Sequence, residues 1–174
     1  MTDHADPAPA ALVVMGVSGS GKSTIAAAVA ERTGSIFLDA DDFHPASSTT
    51  KMQAGMPLTD ADRWPWLAVL GDEIARRLEK GQSVVMACSA LKRSYRDVLR
   101  ERGGEAVAFA LLHGSQELLA SRIGARTGHF MPSALLESQL ATLEHLEADE
   151  RGFVVDVSST PAEIADDVLA AWRG

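Results

Sequence analysis

Cys88 is the only cysteine in the 174 residues. No intrachain disulfide can form, so the fold must rest on packing; a reducing, cytoplasmic setting suits such a chain. Long apolar runs are also missing, and no stretch has the length of a membrane span. Basic residues are in deficit. Sixteen Lys and Arg stand against 24 Asp and Glu, a formal net charge of −8. That balance argues against a broad nucleic-acid surface, though a small basic pocket is compatible with it. The first ten residues, MTDHADPAPA, lack the basic and apolar regions of a signal peptide and read as a disordered tail. No internal repeat or linker divides the rest, so residues 11–174 are expected to form a single domain.

What is present is concentrated at Gly16-Val17-Ser18-Gly19-Ser20-Gly21-Lys22-Ser23, a G-x-x-x-x-G-K-S pattern. The apolar run Ala11–Met15 precedes it as a buried strand. Thr24–Arg32 follows as an Ala-rich helix ending at Gly34. Strand, glycine turn and helix form the context in which this pattern cradles phosphates. Gly16, Gly19 and Gly21 let the backbone curl without Cβ clashes. The N–H groups around Ser18, Ser20 and Thr24 then join the helix N-terminus in binding anions. Lys22 is expected on the β- and γ-phosphates, and the Ser23 hydroxyl on Mg²⁺.

Further strands are predicted at 35–39, 83–87, 106–112 and 153–157, each a near-continuous apolar run. Helices fall between them: 59–80, a basic helix carrying Lys92, Arg93, Arg96, Arg100 and Arg102, 115–126, one from Ser133, and one from Thr160-Pro161-Ala162-Glu163. Thr59-x-x-Asp62 and Thr160-x-x-Glu163 read as capping boxes. Strands alternating with helices predict an α/β fold with a parallel sheet covered on both faces. Ligands of such sheets bind at the strand carboxyl ends. The glycine loop, the acidic run Asp39-Ala40-Asp41-Asp42 and Cys88-Ser89-Ala90 all lie at such ends.

Phosphoryl transfer asks for positioning and charge neutralisation. If the chain stays extended after the second strand, Asp39 and Asp41 face one side. Asp41 is then the candidate to align or deprotonate an acceptor hydroxyl, with Asp39 nearer the metal. His44, Lys51, Arg63 and Lys92 are candidate substrate contacts. Arg122 and Arg126, spaced i, i+4 before the break at Gly128, suit a lid over the phosphates, spanning about 122–132. Cys88 reads as a small buried residue, and Trp64-Pro65-Trp66 as packing at a helix start.

Five stretches together resemble the gluconate kinases, small P-loop kinases related in fold to shikimate and adenylate kinases. They are Met15–Thr24 (MGVSGSGKST), Asp39–Pro45 (DADDFHP), Lys51–Leu67 (KMQAGMPLTDADRWPWL), Cys88–Arg100 (CSALKRSYRDVLR) and Arg122–Phe130 (RIGARTGHF). The resemblance implies transfer of the ATP γ-phosphate to the 6-hydroxyl of D-gluconate, with Mg²⁺. It implies a three-layer α/β/α fold with a five-stranded sheet in the order 2-3-1-4-5, a helical lid, and often a homodimer. It gives the aspartates after the second strand, Asp39 and Asp41, to the metal and the acceptor hydroxyl between them. Arg63 and the Ser89–Lys92 stretch go to the substrate, and Arg122 and Arg126 to the nucleotide. Ser48 stands where family members usually carry Asn, which is expected to loosen a substrate-side contact. A guanine-reading N-K-x-D is missing from the chain, which argues against a GTPase-type switch.

Overall fold

The computed structural model describes residues 7–124 and 133–173. Its five strands are β1 (Ala11–Met15), β2 (Ile36–Asp39), β3 (Val84–Ala87), β4 (Val107–His113) and β5 (Gly152–Asp156). They form one sheet in the order β2-β3-β1-β4-β5, and every neighbouring pair is parallel. Seven helices complete the described chain: α1 (Lys22–Thr33), α2 (Ala46–Gln53), α3 (Asp60–Glu79), α4 (Arg93–Gly103), α5 (Gln116–Gly124), α6 (Ser133–Thr142) and α7 (Pro161–Arg173). No helix among the described residues is long and apolar enough to cross a membrane.

The central strand explains why its sequence is apolar without alternation. Leu12 and Val14 pack into one core with Ile25 and Val29 of α1 and Ile164 and Val168 of α7. Ala11, Val13 and Met15 point the other way, into a core with Leu67, Leu70 and Ile74 of α3 and Leu99 of α4. A strand buried on both faces has no polar face to show. The ordered backbone reaches back beyond β1. Ala10 donates to Ser83 Oγ (3.1 Å), and its carbonyl accepts from the Val84 N–H (3.0 Å).

The helix ends follow local chemistry. Gly34, at φ 68°, closes α1 in the left-handed region that a side chain disfavours. The α3 box is reciprocal. Thr59 accepts from the Asp62 N–H, and Asp62 accepts from the Thr59 N–H. The α7 box does the same with Glu163. Pro65 falls one turn deeper in α3 than a starting proline should, where it cannot donate to the Ala61 carbonyl. α3 and α4 nearly touch at Gly71, where a Cβ would come within 2.4 Å of Arg102 Cβ.

One arginine of the basic helix lies inside the fold. Arg96 is fully buried. Its guanidinium donates to Glu150 (2.7 and 3.0 Å) and to the carbonyls of Ala90 and Leu91 (3.0 and 3.3 Å). Burial pushes the Glu150 carboxyl up. Hydrogen bonds from Arg96, the Glu147 N–H and Arg100 outweigh that and hold it at about 2, against an ordinary 4.5. A carboxyl held down stabilises the fold fully above its unfolded value, and the contribution fades as pH falls towards the folded one. Glu150→Gln leaves Arg96 buried without a counter-charge, which typically costs roughly 3–5 kcal/mol. Urea unfolding is therefore expected to show the full wild-type advantage at pH 7 and a shrinking one below about 4.5. A gap independent of pH would contradict this account.

Candidate active site

The glycine loop runs from the end of β1 into α1. Gly16, Gly19 and Gly21 hold φ of 148°, 83° and 88°. A Cβ on Gly16 would lie 2.8 Å from the Leu112 carbonyl oxygen, and one on Gly19 2.7 Å from Ile123. Only glycine lets the loop lie this close to β4 and α5. Ser20 Oγ donates to the Val17 carbonyl (2.7 Å) and braces the curl. Lys22 Nζ donates to the same carbonyl (3.1 Å), which brings the ammonium back over the loop.

One cavity of about 240 Å³ lies on the inner side of this loop. Its walls include Ser18, Lys22, Ser23, Asp39, Asp41, Ser89 and Gln139. A second, of about 250 Å³, lies on the other side, between Gly19, Gly21, Thr24, Arg122 and Pro161. Arg122 there donates to the Ser159 carbonyl (3.3 Å). Arg126 and most of the 122–132 stretch lie outside the described residues.

The acidic pair corrects one expectation. The chain does not stay extended after Asp39: residues Ala40–Phe43 form a 3-10 turn. Asp39 starts that turn itself, its Oδ1 accepting from the Asp41 N–H (3.0 Å). Its Oδ2 accepts from Ser23 Oγ (3.1 Å). Alternation therefore does not bring Asp39 and Asp41 to one side; the turn does, and both line the cavity. The two carboxylates differ in engagement. Asp39 has an oxygen committed to each of two neighbours. Among the described residues Asp41 reaches only as far as His44 Nε2, at 3.7 Å, and its side chain is 86% exposed.

His44 sits behind Asp41, stacked on Trp66 with ring centroids 4.3 Å apart. Trp66 is buried and donates to the Ala40 carbonyl (2.8 Å), so it anchors the acidic turn. Burial pushes the His44 imidazole down, and Asp41 only partly offsets this. Its Nδ1 is buried without a hydrogen-bond partner among the described residues.

The cations divide. Lys51 is drawn onto Asp62 (2.8 and 2.9 Å) and ties α2 to the start of α3. Arg63 and Lys92 converge on Asp60, at 3.5 and 3.2 Å, and Tyr95 donates to the same carboxylate (2.5 Å). The Tyr95 hydroxyl and Lys92 hold the Asp60 carboxyl below the usual range. Ser89 turns its carbonyl to the Gly16 N–H (3.3 Å), linking the end of β3 to the loop. Ser48 is buried in α2. Cys88 is buried as well, and burial pushes its thiol up to about 12, which removes it as a nucleophile at neutral pH.

Asp60 and Gln139 were not legible as site residues. Asp60 reads as an ordinary first-turn acid. Gln139 had a signal: it lies three residues after Leu136 and four before Leu143, so a polar group interrupts an apolar stripe.

Comparison with known proteins settles the kinship. The chain is 46% identical to a probable gluconokinase of Rattus norvegicus, over 95% of this chain and 98% of that one. The chain belongs to the gluconokinase family. A solved gluconokinase from Sinorhizobium meliloti superposes with a TM-score of 0.87 at 51% identity, covering 95% of this chain and 93% of that one. A family model described as an AAA domain matches residues 12–146, the part that holds the glycine loop and the acidic turn. Shikimate kinase from Acinetobacter baumannii shares the fold alone, at a TM-score of 0.58 and 16% identity over 94% of this chain and 92% of that one.

Proposed function

We propose that this chain transfers the γ-phosphoryl group of ATP to the 6-hydroxyl of D-gluconate, giving ADP and 6-phospho-D-gluconate and so feeding gluconate into carbohydrate catabolism. The observation that carries the reading is one cavity joining the phosphate loop to Asp39 and Asp41, in a chain with full-length gluconokinase relatives. Lys22 binds the β- and γ-phosphates, and the loop N–H groups from Ser18 to Thr24 cradle them. Arg122, beside the outer cavity, and Arg126 are proposed nucleotide contacts. The Ser23 hydroxyl and the Asp39 carboxylate, 3.1 Å apart, are a donor pair that fits Mg²⁺. That ion neutralises phosphate charge when bound.

In the transfer the acceptor oxygen forms a bond to γ-phosphorus as the bond to the bridging oxygen of ADP breaks. The hydroxyl proton passes to Asp41, whose uncommitted carboxylate suits it as base. Gluconate also carries a carboxylate, which needs a cation. Arg63 and Lys92 supply it, with Asp60 and Tyr95 fixing their positions. His44 and Ser89 complete the acceptor side, and Lys51 supports it through Asp62. A homodimer in the cytoplasm completes the proposal; light scattering of the purified protein tests the dimer.

A coupled ADP-release assay across gluconate, other sugar acids, glucose, polyols and shikimate tests the acceptor. Gluconate should be strongly preferred, and equal use of glucose or shikimate would overturn the assignment. Arg63→Ala should raise KM for gluconate about ten- to a hundredfold with kcat little changed, since it removes a charged hydrogen bond present before and during transfer. An unchanged KM would take Arg63 out of the substrate site.

A further inference from the structure

Gln139 is half-buried on α6, and its Oε1 accepts the Ser18 N–H at 2.7 Å. The helix that carries it is firmly seated. Leu136, one turn earlier, is buried in the core. Just after the helix, Glu144 donates its N–H to the Leu91 carbonyl and accepts the Arg93 N–H, both at 2.8 Å. The carboxamide is thus delivered to the phosphate loop by a braced element.

Its position selects which phosphate it meets. Gln139 shares the inner cavity with Lys22, Ser23, Asp39 and Asp41. Thr24, Arg122 and Pro161 line the cavity on the other side of the loop. Lys22 and Ser23 mark the β/γ end of a triphosphate in such loops, and a diphosphate leaves the γ position empty. In the structure an amide oxygen takes the N–H that a phosphate oxygen would take. A carboxamide can exchange that role, because its NH₂ end carries two donors.

We propose that Gln139 reads the γ-phosphate: its carbonyl occupies the Ser18 N–H when no γ-phosphate is there, and its NH₂ group donates to the γ-phosphate when ATP is bound. Gln139 thereby makes the site prefer the triphosphate over the diphosphate product. The inference rests on the kinase reading above for the identity of the nucleotide but not on the acceptor.

Binding of the β,γ-imido analogue of ATP and of ADP, each with Mg²⁺ and without gluconate, tests it by calorimetry on wild type, Gln139→Leu and Gln139→Glu. Gln139→Leu should weaken the triphosphate about tenfold while ADP stays within about twofold, the scale of one hydrogen bond to a charged group. Gln139→Glu should weaken the triphosphate further, because a carboxylate then faces the phosphate. Gln139→Glu keeps a polar side chain, so it carries the test if the leucine variant does not fold. Equal losses for both nucleotides, or none, would overturn the proposal and leave Gln139 as a brace for the loop. If wild type binds nucleotide yet does not phosphorylate gluconate, the acceptor reading fails while the binding comparison still decides the role of Gln139.

Discussion

Lys22→Met protein is expected to fold normally and to lose gluconate phosphorylation by a hundredfold or more. The substitution keeps most of the side chain's length and removes its charge and its hydrogen-bond donors. In the structure the ammonium donates to the Val17 carbonyl of the loop it serves. The loop itself is shaped by glycine backbone angles and by Ser20, and neither depends on Lys22. Stability should therefore change little. The rate should change greatly, because charge develops on the transferring phosphoryl group and its bridging oxygen. One preorganised electrostatic contact of this kind is typically worth a hundred- to a thousandfold. Turnover by the coupled assay and thermal unfolding by circular dichroism separate the two effects. Near-normal turnover in a folded variant would mean the glycine loop is not where transfer occurs.

Asp41→Asn should likewise lower kcat, with KM for both substrates nearly unchanged. The geometry singles out Asp41 over its neighbour. Both Asp39 oxygens are committed, one to Ser23 and one to the Asp41 N–H, whereas Asp41 projects into the cavity with its carboxylate largely exposed. Asparagine retains the shape and can still orient a hydroxyl, but it cannot take a proton. General bases contribute about a hundred- to ten-thousandfold. The lower end is expected here, because in a loose transition state the acceptor proton leaves late. Single-turnover measurements of the chemical step are the direct check. A fully active Asp41→Asn enzyme would shift the role of base to Asp39.

The fold was readable because its signals are local and repeated. Apolar runs bounded by Gly34 and Gly81, and the two capping boxes, determine the element order without tertiary information. The glycine loop was readable because few other sequences permit its backbone. The acidic pair shows where such reasoning stops. Period-two alternation brought Asp39 and Asp41 to one side, and so does the structure, but by a 3-10 turn that Asp39 caps with its own side chain. Side-chain capping competes with strand continuation, and a short acidic run does not reveal which prevails. Arg96 was hidden for a different reason. Its partner Glu150 lies 54 residues away, and a basic helix reads as solvated until that partner is found.

The contact at Gly71 has a consequence for how the molecule moves. With no side chain between them, α3 and α4 approach until backbone meets the Arg102 stem, and they share one apolar core. Separating them would open a void along that whole seam, so the pair behaves mechanically as a single beam. Arg63 and Asp60 stand at one end of that beam, and Lys92 and Tyr95 near the other helix's start. The groups proposed to grip the acceptor are thus mounted on one stiff support. On that proposal, adjustment to different sugar acids would fall to the Ala46–Leu58 stretch beside it. Selectivity for the acceptor would then evolve most easily in that stretch, leaving the beam unchanged.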